Sequence, residues 1–266
     1  MTGLGATHEE VTAMLLEVPA EQFRRVLDTV AREILLEAGL ERPPVGAFHV
    51  AQQLGLIVAR DRPAVDELTA PRARFVRLGA GPSRASEGTI LLADDPRRER
   101  RQWAVAHEIG ESRAYRVFAE LGVHPQEAPV AAREEVANRL ASSLLLPRDW
   151  FLRDGVRVDW DLFALKTIYA TASHELIARR MLEMPPAVVV TLADQGRPVW
   201  RRSNRSFRPP PLTPAERDAW TAAHDGGHPV QCDPRELPDG VDDVRVWPIH
   251  EPGWRREIIR TELTSW

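Results

Sequence analysis

The segment His107-Glu108-Ile109-Gly110-Glu111 brings one imidazole and two carboxylates together within five consecutive residues. If this segment is helical, His107 and Glu111 lie one above the other, because residues four apart share a helix face. Glu108 then projects about 100° away from His107, since an α-helix has about 3.6 residues per turn. The spacing therefore predicts two metal ligands one turn apart, with a carboxylate beside them in the position of a general base.

A second predicted helix adds a carboxylate to an apolar stripe. The stripe consists of Val130, Glu134, Ala137, Asn138, Ala141 and Leu145. A lone carboxylate on a buried face is costly, so Glu134 is expected to meet a metal ion or a cationic partner. Asn138 follows one turn later and could hydrogen-bond the far nitrogen of His107, which would fix the tautomer of that imidazole.

Several elements must position these two helices. Helical periodicity predicts helices over about 20–38, 95–121, 130–146, 160–169 and 173–184, with a short helix through Val50 and Leu54. Asp95 and Pro96 are expected at the N-cap and first position of the helix that carries His107. Strands are predicted at 56–58, 72–78 and 89–92, the last two forming a hairpin. Beyond Pro185-Pro186, two more hairpins (187–192 with 199–202, and 244–247 with 254–263) and a helix capped by Thr213 are expected.

Two stretches of the sequence carry a specific resemblance to a known family. They are WAVAHEIGE and REEVANRLASSLLLP. Together they resemble the ImmA/IrrE family of bacterial metallopeptidases, whose pattern is an AHExxH helix followed by ExxAN-x-[FL]A-x-x-LL-x-P. The resemblance covers about residues 20–150, and more loosely the helices up to Met184. It implies an α+β fold: a mostly helical, zincin-like domain with a small antiparallel sheet, followed by a small β-rich C-terminal domain.

The resemblance also implies roles for individual residues. By position, His107 is the first metal ligand, Glu111 occupies the second-ligand position and Glu134 is the third ligand. Glu108 is the general base of a metal-activated water, and Asn138 supports the ligands from behind. Members of the family typically cleave helix-turn-helix repressors, so a protein substrate of this kind is the expected partner.

The chain departs from the family at Glu111, where the family has histidine. A carboxylate oxygen can bind zinc, so the change does not abolish the site. Two ionised glutamates would nearly neutralise a divalent ion, however, and a less positive ion acidifies its water and polarises a carbonyl less. An oxygen-rich set of ligands also moves the preference from zinc toward manganese.

Other interpretations of these residues stay open. The scaffold could be a catalytically impaired peptidase that regulates a protein partner, or Glu111 could simply pair with Arg113 or Arg116. Glu135 is a rival third ligand on a poorer helix face, and His124 lies in a loop from which it could replace the missing histidine. His224 and His228 are four apart, but the two glycines between them argue against a helix and hence against helical ligand spacing. The 160–184 helix pair has the outline of a helix-turn-helix, yet its second helix lacks a basic, base-reading face.

Composition limits the remaining possibilities. The chain has 266 residues, a net charge of −4 and a single cysteine, which together argue against a basic nucleic-acid-binding surface and exclude a disulfide framework or a cysteine-based zinc site. The N-terminus has no basic leader followed by an apolar stretch, and no apolar run approaches the length of a membrane span. We therefore expect a cytoplasmic protein with two domains, a metallopeptidase-like domain at 1–185 and a β-rich domain at 187–266.

Overall fold

The computed structural model describes residues 18–60, 73–76, 88–124 and 128–264. The chain divides into two compact units. The first comprises the described residues up to Arg157 together with Thr167–Ser173, and the second comprises Val158–Lys166 together with the described residues from His174 onward. This division falls earlier along the chain than Pro185-Pro186, where the sequence places the domain boundary.

The first unit opens with two helices and three short strands. These are α1 (Ala20–Glu37), α2 (Ala47–Gln53), β1 (Leu56–Arg60), β2 (Ala73–Val76) and β3 (Gly88–Leu92). The buried residues of α1 recur every three or four positions, which gives the helix one face toward the core, as the periodicity predicted. They are Phe23, Leu27, Val30, Ala31, Ile34 and Leu35.

The three strands form a sheet in the order β1-β3-β2. β2 and β3 pair antiparallel, as predicted for a hairpin, although the connecting residues 77–87 lie outside the described part. β1 and β3 pair parallel, with Leu56 opposite Gly88, so the expectation of a purely antiparallel sheet is wrong. β3 is buried along nearly its whole length, which is typical of a central strand whose two faces are covered.

Two long helices follow, α3 (Arg98–Glu120) and α4 (Val130–Leu145). α3 begins later than predicted, with Arg97 rather than Asp95 at the N-cap. The Asp95 carboxylate accepts a hydrogen bond from the Arg97 amide at 2.8 Å, so Asp95 closes a turn in front of the helix. The predicted end of α3 near Leu121 and the predicted span of α4 are confirmed to within one residue.

Helix α4 ends before Pro147, and a further helix follows directly. Helix α5 (Arg148–Arg157) starts at once, and the Phe151 amide donates to the Pro147 carbonyl at 2.8 Å. Proline serves here as a helix start, where its missing N–H costs nothing. Helices α6 (Leu162–Ile168) and α7 (His174–Met181) follow, both shorter than predicted.

The arginines of α7 support its interpretation as a packing helix rather than a DNA-reading helix. Arg179 pairs with Glu175 at 2.9 Å and stacks over the Trp200 ring at 4.7 Å. Arg180 is buried and pairs with Glu183. Both guanidinium groups are therefore engaged within their own unit.

The second unit is built on a five-stranded antiparallel sheet in the order β5-β4-β8-β7-β6. Its elements are β4 (Val188–Asp194), β5 (Arg197–Ser203), α8 (Pro214–Gly226), β6 (Val230–Gln231), β7 (Val241–Glu251) and β8 (Trp254–Leu263). Both predicted hairpins are present. In the first, Gln195 and Gly196 have φ of 51° and 72°, the left-handed pair that a tight two-residue hairpin turn needs.

Helix α8 begins as predicted and extends into the HDGGH segment. Thr213 and Glu216 form a capping box, with Pro214 at the first position. The helix continues through His224 to Gly226 and is closed by Gly227 in the left-handed conformation. The expectation that the HDGGH segment is non-helical is therefore wrong for His224, because a glycine in the last turn is tolerated; His228 lies beyond the cap.

The core of the second unit lies between α8 and the sheet. Its buried members are Ala219, Ala223, Val244, Val246 and Ile259. Trp247 is buried, whereas Trp254 is 39% exposed. Across the described part of the chain, no helix combines the length and apolarity that a membrane crossing requires. The mixed helical and sheet architecture agrees with the predicted α+β class.

Candidate metal centre

Helices α3 and α4 pack backbone against backbone at Gly110. A Cβ on Gly110 would lie 2.6 Å from the backbone carbonyl oxygen of Ala137, closer than such atoms ever come. Only glycine allows this approach of the two backbones. His107 precedes Gly110 by one turn of α3 and Glu134 precedes Ala137 by one turn of α4, so the close contact brings these two side chains together.

Both nitrogens of the His107 imidazole face side chains of α4. Nδ1 lies 3.0 Å from the side-chain oxygen of Asn138, and Nε2 lies 3.5 Å from a carboxylate oxygen of Glu134. Because an amide oxygen only accepts hydrogen bonds, Asn138 selects the tautomer that carries its proton on Nδ1. The lone pair of Nε2 then points toward Glu134, which is the orientation of a histidine that binds a metal through Nε2.

Glu108 and Glu111 complete one cluster with His107. One ligand atom from each of the three residues lies within 4.8 Å of the others. Glu108 is 4% exposed, whereas Glu111 lies on the solvent side of the helix. The helical spacing thus produces the predicted grouping of an imidazole and two carboxylates.

Glu134 is placed beside His107, but not for the reason the sequence suggested. Its side chain is 54% exposed, and Val130 one turn earlier is also exposed. The stripe on α4 becomes buried only from Ala137 onward. The expectation of a lone buried carboxylate is therefore wrong, because the first turn of α4 extends beyond the core; the contact with His107 supports Glu134 as a ligand instead.

The rival acidic residue on α4 has a different partner. Glu135 accepts a hydrogen bond from Arg139 at 2.6 Å, one turn along the same helix. Both side chains are substantially exposed, and such pairs are common on helix surfaces. The geometry therefore favours Glu134 over Glu135 as the third ligand.

Arg116, one of the two suggested partners of Glu111, is occupied elsewhere. Its two terminal nitrogens donate to the carboxylate of Glu37, at 2.5 and 3.1 Å, and its Nε donates to the Tyr115 hydroxyl. The hydrogen bond from Arg116 lowers the pKa of Glu37, to which Arg113 adds a smaller electrostatic effect. Arg116 therefore stabilises the α1–α3 contact, and the geometry does not support its pairing with Glu111.

These residues offer one imidazole nitrogen and two carboxylate groups on the exposed side of two packed helices. Such a mixed nitrogen and oxygen set suits zinc, and its oxygen content also suits manganese. The donor types therefore fit a divalent ion; the donor atoms that lie within 4.8 Å of one another are those of His107, Glu108 and Glu111, and Glu134 approaches His107 alone. Gly110 is the residue of this site that reasoning from the sequence missed, although a glycine in the middle of an otherwise regular helix is a signal of close packing.

Comparisons with known proteins address the fold alone. No protein-family model matches the chain, and no curated protein sequence does. Among solved structures, the chain resembles one described as a Mycobacterium tuberculosis transcriptional regulator, with a TM-score of 0.59 and 17% identity. The match covers 91% of this chain and 81% of that one. At this identity the likeness establishes a shared fold.

Proposed function

We propose that this protein is a metal-dependent endopeptidase-like protein of the ImmA/IrrE type, acting on a protein such as a helix-turn-helix repressor. One observation carries the proposal: the His107 imidazole is held by Asn138 at Nδ1 while its Nε2 faces Glu134. A histidine that serves only packing does not need a supporting amide on one side and a carboxylate on the other. Both partners come from the second helix, at the positions that the family pattern requires.

His107, Glu111 and Glu134 are the proposed ligands of the ion. Zinc is the favoured metal and manganese the alternative, because two of the three ligands are carboxylates. When bound, the ion would polarise the scissile carbonyl and acidify a water molecule. Asn138 would keep the imidazole in the binding tautomer throughout.

Glu108 is the proposed general base. Its carboxylate is buried, lies within 4.8 Å of its neighbours' ligand atoms and is offset around the helix from His107. In this position it can take a proton from the attacking water and deliver it to the leaving amine. Burial restricts the rotamers of this side chain, which helps to keep the base oriented.

An extended substrate could bind at strand β2. This strand lies at one edge of the β1-β3-β2 sheet and contacts α3, the helix that carries His107. Backbone groups at a sheet edge can pair with an added peptide strand, which aligns a scissile bond without reading its sequence. The proposal therefore places a protein chain, rather than a small molecule, at this site.

A second candidate function is a catalytically impaired peptidase that regulates a protein partner. It is favoured by Glu111 itself, since a second carboxylate ligand weakens the ion as a Lewis acid. The structural neighbour is described as a transcriptional regulator, a description compatible with either candidate. In this case the two-helix site would bind metal without supporting hydrolysis.

The two candidates are separated by incubating the purified protein with a repressor encoded beside its gene, in the presence of zinc or manganese. Cleavage that disappears in Glu108→Gln, while metal content is unchanged, supports the peptidase. Binding of the repressor without cleavage by the parent protein supports the regulator. Glu111→His should raise hydrolysis if the carboxylate is what limits the ion.

A further inference from the structure

The second unit contains a carboxylate that is completely withdrawn from solvent. Glu257, on β8, is 0% exposed and accepts three hydrogen bonds. The Trp220 indole donates to one of its oxygens at 3.0 Å. The imidazoles of His224 and His250 both approach the other oxygen, each at 2.8 Å.

Three different elements bring these groups together. Pro248 of β7 stands opposite Glu257 of β8, so His250, two residues beyond Pro248, projects from the same face of the sheet. α8 covers this face through Ala219 and Ala223. His224 follows Ala223 in the last turn of α8 and therefore reaches the sheet at the level of Glu257.

A second buried carboxylate in the same unit provides a comparison. Glu216, at the other end of α8, is also 0% exposed, and both of its oxygens accept hydrogen bonds from Arg201, at 2.9 and 3.1 Å. Arginine is a permanent cation. The partners of Glu257 are instead a neutral indole and two imidazoles, which are charged only when protonated. A buried carboxylate needs a positive partner, and a metal ion is one that imidazoles can share.

The donor atoms are already grouped for such an ion. One ring nitrogen of each histidine and one Glu257 oxygen lie within 4.8 Å of one another. The two rings are 5.9 Å apart and inclined at 73°, so their nitrogens converge on the carboxylate without stacking. Two imidazole nitrogens and one carboxylate oxygen, with a fourth position left for water, are a donor set typical of zinc.

The geometry points to a second metal site, formed by His224, His250 and Glu257, that takes a first-row divalent ion of the zinc type. The ion replaces the protons between the imidazoles and the carboxylate and fastens the end of α8 to β7 and β8. This site is independent of the cluster at His107, since it shares no residue with it and lies in the other unit.

An ion can reach the site from the surface. The His224 and His250 side chains are 26% and 24% exposed, while the Glu257 side chain is completely buried beneath them. His250 also lines a shallow surface depression with the β7–β8 turn. The two histidine ligands are therefore accessible to an ion from solvent, and the carboxylate ligand lies on the sheet behind them.

Arg255 is the group that opposes metal binding. One of its terminal nitrogens lies 3.5 Å from His224 Nε2 and donates toward it. This contact favours the tautomer with the proton on Nδ1, the nitrogen that faces Glu257 and would bind the ion. Arg255 is exposed and can move away, but its positive charge weakens the affinity of the site.

The test is zinc titration of the full chain by calorimetry, in a non-coordinating buffer, in a His107→Ala background that removes the first cluster's histidine. We expect one saturable site. Adding His250→Ala should weaken binding by more than the roughly 10- to 100-fold that loss of a supporting group costs. The matched control is His228→Ala, since His228 belongs to the same HDGGH segment but contacts the Gly226 carbonyl. It should leave the affinity unchanged.

Two further variants keep the test decisive. His250→Gln retains an N–H donor for Glu257 and replaces the alanine variant if that fails to fold, and it should lose zinc equally. Arg255→Gln should tighten binding several-fold. The proposal is overturned by absence of saturable binding, by equal affinity in the His250 and His228 variants, or by weaker binding in Arg255→Gln.

Discussion

The backbone carbonyl of Ala137 occupies the space that a side chain on Gly110 would need, 2.6 Å from the position of its Cβ. Intrinsic helix propensity predicts that Gly110→Ala stabilises α3 by about 1 kcal/mol. The contact predicts the opposite sign, because the obstructing atom belongs to backbone and the helices must separate. We expect a loss of about 1–3 kcal/mol in the free energy of unfolding, together with weaker metal binding. Urea denaturation measures the first, with Glu120→Ala at the exposed end of α3 as a near-neutral control.

A gain in stability for Gly110→Ala would mean that α3 and α4 are less tightly packed than the structure shows. The metal affinity of Gly110→Ala provides a second, independent check of the same contact. The separation of the helices should move His107 from Glu134, so unfolding stability and metal affinity should fall together.

Asn138 is expected to act on the metal through His107. Asn138→Ala removes the acceptor at Nδ1 and should weaken metal binding by about 10- to 100-fold, the usual cost of losing such a supporting partner. Asn138→Asp supplies an acceptor of the same shape and should retain most of the affinity. Competition with a chromophoric chelator measures both values, and equal weakening in the two variants would contradict the tautomer argument.

Glu134 and Glu135 form a matched pair for locating the third ligand. Glu134→Gln should lower metal affinity, because Glu134 approaches His107 Nε2, whereas Glu135→Gln should only break the surface pair with Arg139. Loss of that exposed pair should change stability by less than about 1 kcal/mol. If Glu135→Gln were the variant that lost the ion, the assignment of the third ligand would be reversed.

The single cysteine should react slowly with thiol reagents. Burial raises the pKa of the Cys232 thiol, and the nearby carboxylates of Glu236 and Asp243 raise it further. A raised pKa leaves less thiolate at any given pH, and the thiolate is the reactive form. Alkylation of the native protein at pH 8 should be slower than that of the unfolded chain and should rise steeply toward higher pH. Equal rates in the native and unfolded protein would contradict this burial.

The sequence predicts features that depend on spacing within one helix or one turn. The capping box at Thr213 and the hairpin at Gln195-Gly196 follow from such local rules. The contact between His107 and Asn138 joins two helices, and it was expected from the positions of the two residues within their motifs. The exposure of Glu134 could not be predicted, because it depends on how far α4 projects beyond the core. The parallel pairing of β1 with β3 is likewise set by tertiary packing.

The grouping of side chains around Glu257 also depends on tertiary packing and could not be predicted from the sequence. His224, His250 and Glu257 lie on a helix and two strands, and only the sheet register and the placement of α8 bring them together. In the sequence, the residue that His224 could be paired with by spacing is His228, four residues later. The structure turns it toward Glu257, because Gly227 ends the helix between the two histidines.

The central claim is that His107, Glu111 and Glu134 bind one divalent ion. It is tested most directly by elemental analysis of the purified chain carrying His224→Ala and His250→Ala, which leaves only the first cluster whether or not the second binds metal. After dialysis against a trace of zinc, we expect one ion per chain, and none when His107→Ala is added. Absence of a stoichiometric ion in the first protein, or its retention after loss of His107, would contradict the account.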